Sequence, residues 1–168
     1  RKGFRYLHEA VSRSLEHERF RALRDKGQLM VLTTGLPDDS LSELQIPVKS
    51  MGYVGDEALV AELYALSDIF LLPSLEDNLP NTMLEAMACG VPVVGFKTGG
   101  IPDLVDNECG RVVKQKDAEA MASSIVDLVL DADHLLAPGL ERVRLLEGGH
   151  RRVGADVPEP FHEPVDPL

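Results

Sequence analysis

Apolar positions recur along this chain with two spacings, one helical and one suited to short buried strands. Phe4, Leu7, Val11 and Leu15 follow each other at helical steps, so Gly3 to about Lys26 reads mainly as helix. The polar run Glu16-His17-Glu18-Arg19 marks a place where it breaks. Leu29 to Thr33 reads as a strand, followed by a polar loop with Gly35, Pro37, Asp38 and Asp39, and a helical turn over Ser40 to Leu44. Val48 to Met51 is the next strand, ended by Gly52; Asp56 then caps a helix with Leu59, Leu63 and Leu66 on one face. Ile69 to Leu72 is an apolar run stopped by Pro73 and Ser74. Thr82 to Cys89 is a helix stopped by Gly90 and Pro92, and Pro92 to Phe96 is a second buried strand. A glycine loop and short helix cover Gly99 to Asp103, and Gly110 to Val113 is the last strand. Asp117 caps a final helix whose buried stripe is Met121, Ile125, Leu128 and Val129.

Short buried strands alternating with helices predict an α/β fold with a parallel sheet. The two strands around Thr82–Cys89 form a right-handed βαβ unit, whose first turn opens at the carboxyl edge of the sheet, where ligands bind. That turn holds Glu76 and Asp77, and Glu85 is expected in the first turn of the helix. The N–H groups of a helix start, here near Thr82, suit a diphosphate, whereas carboxylates repel one and would accept hydrogen bonds from hydroxyls. Phosphate plus hydroxyls describes a nucleotide sugar. A second reading fits the same residues: Thr82-Met83-Leu84-Glu85 has capping-box spacing, which would make Glu85 a bond to its own helix.

The 168 residues suffice for one α/β domain with a proper core, and 44% apolar residues is globular. No apolar run is long enough to span a membrane, and the opening RKGFRY has no apolar signal-peptide core. The net charge of −11 argues against nucleic acid as a partner. The charge is uneven: Arg1 to Lys26 carries eight basic and four acidic side chains, and Gly27 to Ala137 five and eighteen. The basic opening helix suits an anionic phosphate or membrane surface, and equally a plain solvated face. Cys89 and Cys109 have no metal or redox spacing and read as small residues of a reducing compartment. His8, His17, His134, His150 and His162 show no metal-ligand spacing, and His8 reads as a surface residue. The absence of a Walker A loop and of G-x-G-x-x-G argues against an ATPase and a dehydrogenase, and no G-x-S-x-G elbow is present.

The ordered string from Asp77 through Glu85, EAMACGVPVV and TGGIPDLV resembles the signature of the family 4 (group 1) glycosyltransferases. These are retaining enzymes with two Rossmann-like domains in the GT-B arrangement. The similarity runs from about Lys2 to Asp127 and implies a Rossmann-like parallel sheet flanked by helices, the C-terminal, donor-binding half of such an enzyme. It implies that Glu85 bonds the ribose hydroxyls of the donor and that Asp77 lies by the transferred sugar. It places Leu79, Asn81 and Thr82 on the diphosphate and sugar, and the backbone of Val54 on the nucleobase. KGFRYLHEA resembles the family helix that opens with Lys-Gly, which makes Lys2 a diphosphate ligand and Arg1 a weaker candidate; taken alone, Lys2 would be read as a surface lysine. Two departures bear on the donor's sugar. The first acid is usually Glu; Glu76 is the alternative to Asp77, at a separation of nine from Glu85. The family's Gly-Phe-Gly is replaced by Asn78-Leu79-Pro80, so one amide donor is lost at Pro80 and Asn78 offers a side-chain donor instead.

The resemblance also implies that a strand preceding Lys2, central in a 3-2-1-4-5-6 sheet, is absent, leaving its neighbours to close together or accept another chain. The expected organisation is a nucleotide-sugar-binding domain over residues 1–137 and an irregular tail over 138–168, which holds five of the eleven prolines. The implied activity is transfer of a sugar from a nucleotide-diphosphate sugar, with retention, in polysaccharide or glycoconjugate synthesis. The nucleotide sugar is substrate; no cofactor or metal is expected. The implied partner is an N-terminal acceptor domain, and the implied place is the cytoplasm, with peripheral association at the inner face of the membrane. Two alternatives fit less of the sequence: half of a nucleotide-sugar epimerase, and a non-catalytic α/β binding module in which Glu85 is only a cap. Tyr53, in the loop before Asp56, reads either as packing on the base or as a lid on the core.

Overall fold

The computed structural model describes residues 2–36 and 41–130. The expected tail, Arg1, and Pro37 to Ser40 lie outside the described residues. The chain alternates helices and strands in the expected order. Helix α1 spans Phe4–Ser14 and α2 Glu18–Asp25. The long opening helix thus breaks where its apolar period runs out. Strand β1 is Val31–Thr33, β2 Val48–Ser50, β3 Phe70–Leu72, β4 Val93–Phe96 and β5 Gly110–Val113. Helix α3 is Glu57–Leu66, α4 Asn81–Ala88, α5 Ile101–Leu104 and α6 Ala118–Leu130. Asp56 and Asp117 act as read from sequence. Asp56 accepts from the N–H groups of Ala58 and Leu59 at 2.9 and 3.3 Å, and Asp117 from Ala120 N–H at 2.9 Å.

All described strand pairs are parallel, but they form two sheets, β1-β2 and β3-β4-β5. The registers pair Val31 with Val48, Phe70 with Val93, and Val93 with Gly110. β1 and β3 form no ladder with each other. In a 3-2-1-4-5-6 order these two strands would flank the first, so its neighbours have not closed together.

One core lies between the sheets and the opening and closing helices. It unites Leu7 and Val11 of α1, Leu15 at its C-terminal cap, Val94 and Phe96 of β4, and Met121, Ile125 and Leu128 of α6. Half-buried Val31 and Val48 pack on it, so both sheets share it. A smaller cluster on the other face joins Leu72, Val93, Met83 of α4, and Ile101 and Val105 around α5. β4 alternates between the two clusters and is buried at every residue. The α3 stripe is less complete than its spacing predicts: Leu63 is buried, but Leu66 is 56% exposed at the end of the helix.

Candidate functional site

The loop 73–80 leaves β3 at the carboxyl edge of the three-stranded sheet and leads into α4. Its shape is set by neighbouring main chain. Thr98 Oγ1 donates to Leu75 O at 3.1 Å, and the side-chain amide Nε2 of Gln115 donates to the same oxygen. Gly100 N–H donates to Asn78 O at 2.6 Å. Gly99 has φ +52°, and a Cβ there would lie 2.0 Å from Asp77 O, so this position excludes side chains on both counts. Gly99 and Gly100 thus clamp the loop bearing Asp77 and Asn78.

Gly3 performs a similar task. It precedes α1 with φ +69°, and a Cβ would meet Pro73 O at 1.8 Å. The start of α1 is thereby held against the end of β3, which brings exposed Lys2 to the same edge as Asp77. No hydrogen bond or ion pair joins Lys2 to the loop.

The start of α4 is open. Asn78, Leu79, Asn81 and Thr82 are exposed, and Leu79 is 46% exposed. Pro80 is buried and occupies the N-cap, with its carbonyl accepting from Met83 N–H at 3.0 Å. No side chain caps the helix. The N–H groups of Asn81 and Thr82 precede any intrahelical acceptor and remain for solvent or a ligand. The proline substitution thus falls at a buried residue, beneath the open amides rather than among them.

Two expectations for Glu85 are corrected here. The helix begins at Asn81, so Glu85 lies in its second turn, beyond the reach of a capping box. Its carboxylate bonds across to α3 instead: Tyr64 Oη donates to Glu85 Oε2 at 3.1 Å. Tyr64 is half-buried and stands edge-on to Phe70 of β3, with ring centroids 5.8 Å apart. Burial, then the bond to Glu85 and its charge, push the Tyr64 phenol up to about 12. Tyr64 escaped the sequence reading because no spacing links it to Glu85, 21 residues away.

Asp77 is half-buried with no side-chain partner among the described residues, and Glu76 is exposed. The loop after β2 carries half-buried Val54 and Tyr53, which is 91% exposed. Tyr53 is therefore no lid on the core. His8 is half-buried rather than free at the surface; its Nε2 lies 3.0 Å from Glu43 O, tying α1 to the turn after residue 40. Among the described residues no group of three or more His, Cys, Asp or Glu is placed to hold a metal ion. None of their helices is long and apolar enough to cross a membrane.

The family model described as "Glycosyl transferases group 1" matches residues 1–131. Over 82 residues the chain is 37% identical to N-acetyl-alpha-D-glucosaminyl L-malate synthase of Bacillus anthracis, covering 48% of this chain and 22% of that protein. Among solved structures, sucrose-phosphate synthase from Thermosynechococcus elongatus superposes with a TM-score of 0.61 at 25% identity, over 80% of this chain and 35% of that one. The C-terminal domain of a glycosyl transferase group 1 family protein (LpcC) from Francisella tularensis shares the fold. Its TM-score is 0.58 at 23% identity, over 80% of this chain and 72% of that one. The chain spans about a fifth of the length of the first curated relatives it matches.

Proposed function

The chain belongs to the group 1 glycosyl transferases, and from that premise we propose that it is the donor-binding part of a retaining transferase. The donor is a nucleotide-diphosphate sugar held at the carboxyl edge of the three-stranded sheet. Lys2 and the amides of Asn81 and Thr82 receive the diphosphate, with Leu79 beside it and Asn78 adding a side-chain donor. Glu85 accepts from the ribose hydroxyls, Asp77 orients the sugar, and the backbone at Val54 meets the base. Lys2 and the amide dipoles stabilise the charge that grows on the leaving diphosphate as the glycosidic bond breaks. Transfer to the acceptor takes place against a second domain, and the product belongs to a polysaccharide or glycoconjugate. The whole enzyme works in the cytoplasm, at the inner face of the membrane.

The observation that carries this reading is the uncapped, exposed start of α4 with Glu85 released from any capping role. No observation favours the epimerase or the binding module. Calorimetric titration of UDP, GDP and ADP against the 168-residue chain tests it. Weak binding of at least one nucleotide is expected, with loss on Glu85→Gln at an unchanged melting temperature. A substitution that lowers the melting temperature but leaves nucleotide affinity intact would return Glu85 to a structural role. Turnover is expected to be absent from the isolated chain; measurable transfer to any acceptor would overturn the need for a second domain.

A further inference from the structure

We propose that Tyr64 is a positioning residue of the donor site, fixing the Glu85 carboxylate so that one oxygen faces the ribose hydroxyls. The inference rests on the reading of Glu85 as the ribose ligand and extends the site to a helix that reading does not use. Glu85 is exposed on α4, and an exposed glutamate samples several rotamers unless something holds it. Tyr64 Oη holds Oε2 at 3.1 Å, and no other described group bonds either oxygen, so Oε1 stays free to accept. The tyrosine is itself fixed. Its ring is half-buried and packed edge-on against Phe70 in β3, the strand that delivers the loop with Asp77. A chain of contacts thus runs from the sheet through Phe70 and Tyr64 to the carboxylate. The phenol is a donor at neutral pH, and its ionisation is pushed up to about 12, so the bond persists through the physiological range.

The test compares nucleotides with and without the hydroxyls that Glu85 would read. UDP, GDP and ADP, each beside its 2′,3′-dideoxy counterpart, are titrated by calorimetry against the wild-type chain, Tyr64→Phe, Glu85→Gln and the double variant. The wild-type chain should prefer the ribose form. Tyr64→Phe should weaken the ribose form about three- to tenfold, the scale of one hydrogen bond, and leave the dideoxy form unchanged. In the Glu85→Gln background the tyrosine substitution should have no further effect. Circular dichroism of each variant confirms the fold. If the wild-type chain discriminates but Tyr64→Phe weakens both forms equally or neither, the positioning role falls and the donor site stands. If the wild-type chain binds no nucleotide, or binds both forms alike, the reading of Glu85 fails and the inference falls with it.

Discussion

The three-stranded and the two-stranded sheets are built from similar apolar runs but differ in support. In the first, β4 is buried at all four residues between α6 on one face and α4 on the other. In the second, β1 is only half-buried throughout and β2 exposes Lys49. The candidate site divides along the same line. Asp77, the amides at the start of α4, and Glu85 hang from the well-packed sheet; the loop bearing Asp77 is braced by Gly99, Gly100, Thr98 and Gln115, and Glu85 by Tyr64. Val54 and its exposed neighbour Tyr53 hang from the thinner one. The residues proposed for phosphate and sugar thus hang from the better-packed sheet, and the one proposed for the base hangs from the thinner one.

The sharpest way to break this contrast is through the core. Phe96 is 0% exposed and contacts Tyr6 edge-on at 5.9 Å. Phe96→Ala should cost about 3–5 kcal/mol by urea denaturation, whereas Val31→Ala in β1 should cost about 1 kcal/mol. Equal costs would mean that the two sheets are equally supported. Gly99→Ala is the next largest. It forces a side chain onto φ +52° and against Asp77 O, so a loss of about 1–3 kcal/mol is expected, together with weaker nucleotide binding. Retained affinity would show that the clamp does not shape the loop.

The better-packed region was also the more legible in sequence. Runs such as Pro92–Phe96 and the stripe Met121, Ile125 and Leu128 declare themselves because burial on both sides demands unbroken apolar residues. The cap at Asp56 was readable because its partners lie two and three residues away. The fate of Glu85 was not. Capping-box spacing at Thr82–Glu85 is a local signal, and it lost to Pro80, whose fixed φ starts the helix one residue earlier than expected. Tyr64 and Gln115 were invisible for a related reason: their partners, Glu85 and Leu75, are distant in the chain and meet only through the fold. The signature motif located the carboxylates; only tertiary packing says what steadies them.

Amide exchange sharpens the contrast at the two sheet edges. Val31 N–H donates to Pro47 O and Met51 N–H to Thr33 O, so the alternation of a strand turns the peptide groups of Leu32 away from β2. Phe70 N–H donates to Pro92 O, which turns those of Leu71 away from β4 in the same manner. Val93 N–H, by contrast, is bonded to Cys109 O at 3.1 Å inside the sheet. Leu32 and Leu71 should therefore exchange about tenfold or more faster than Val93 in the 168-residue chain. Equal protection at Leu71 and Val93 would show that the β3 edge is covered.

The smallest effect expected is on the alkaline limb of stability, and it reports on the environment of Tyr64 between α3 and α4. Tyr64 in the folded chain ionises near 12 instead of its ordinary 10.0, because burial and then Glu85 oppose the phenolate. Below about pH 10 both folded and unfolded chains keep this proton, and the contribution is fully present. Between about 10 and 12 the unfolded chain loses it first, so it binds fewer protons than the folded chain and stability falls as pH rises. Tyr64→Phe removes that titration. The stability difference between wild type and Tyr64→Phe, from urea denaturation at steps from pH 9 to 12, should therefore shrink with rising pH. Subtracting the variant cancels the other tyrosines and lysines that titrate in the same range. A difference that stays flat across the window would mean that neither burial nor Glu85 opposes ionisation of the phenol in the folded chain.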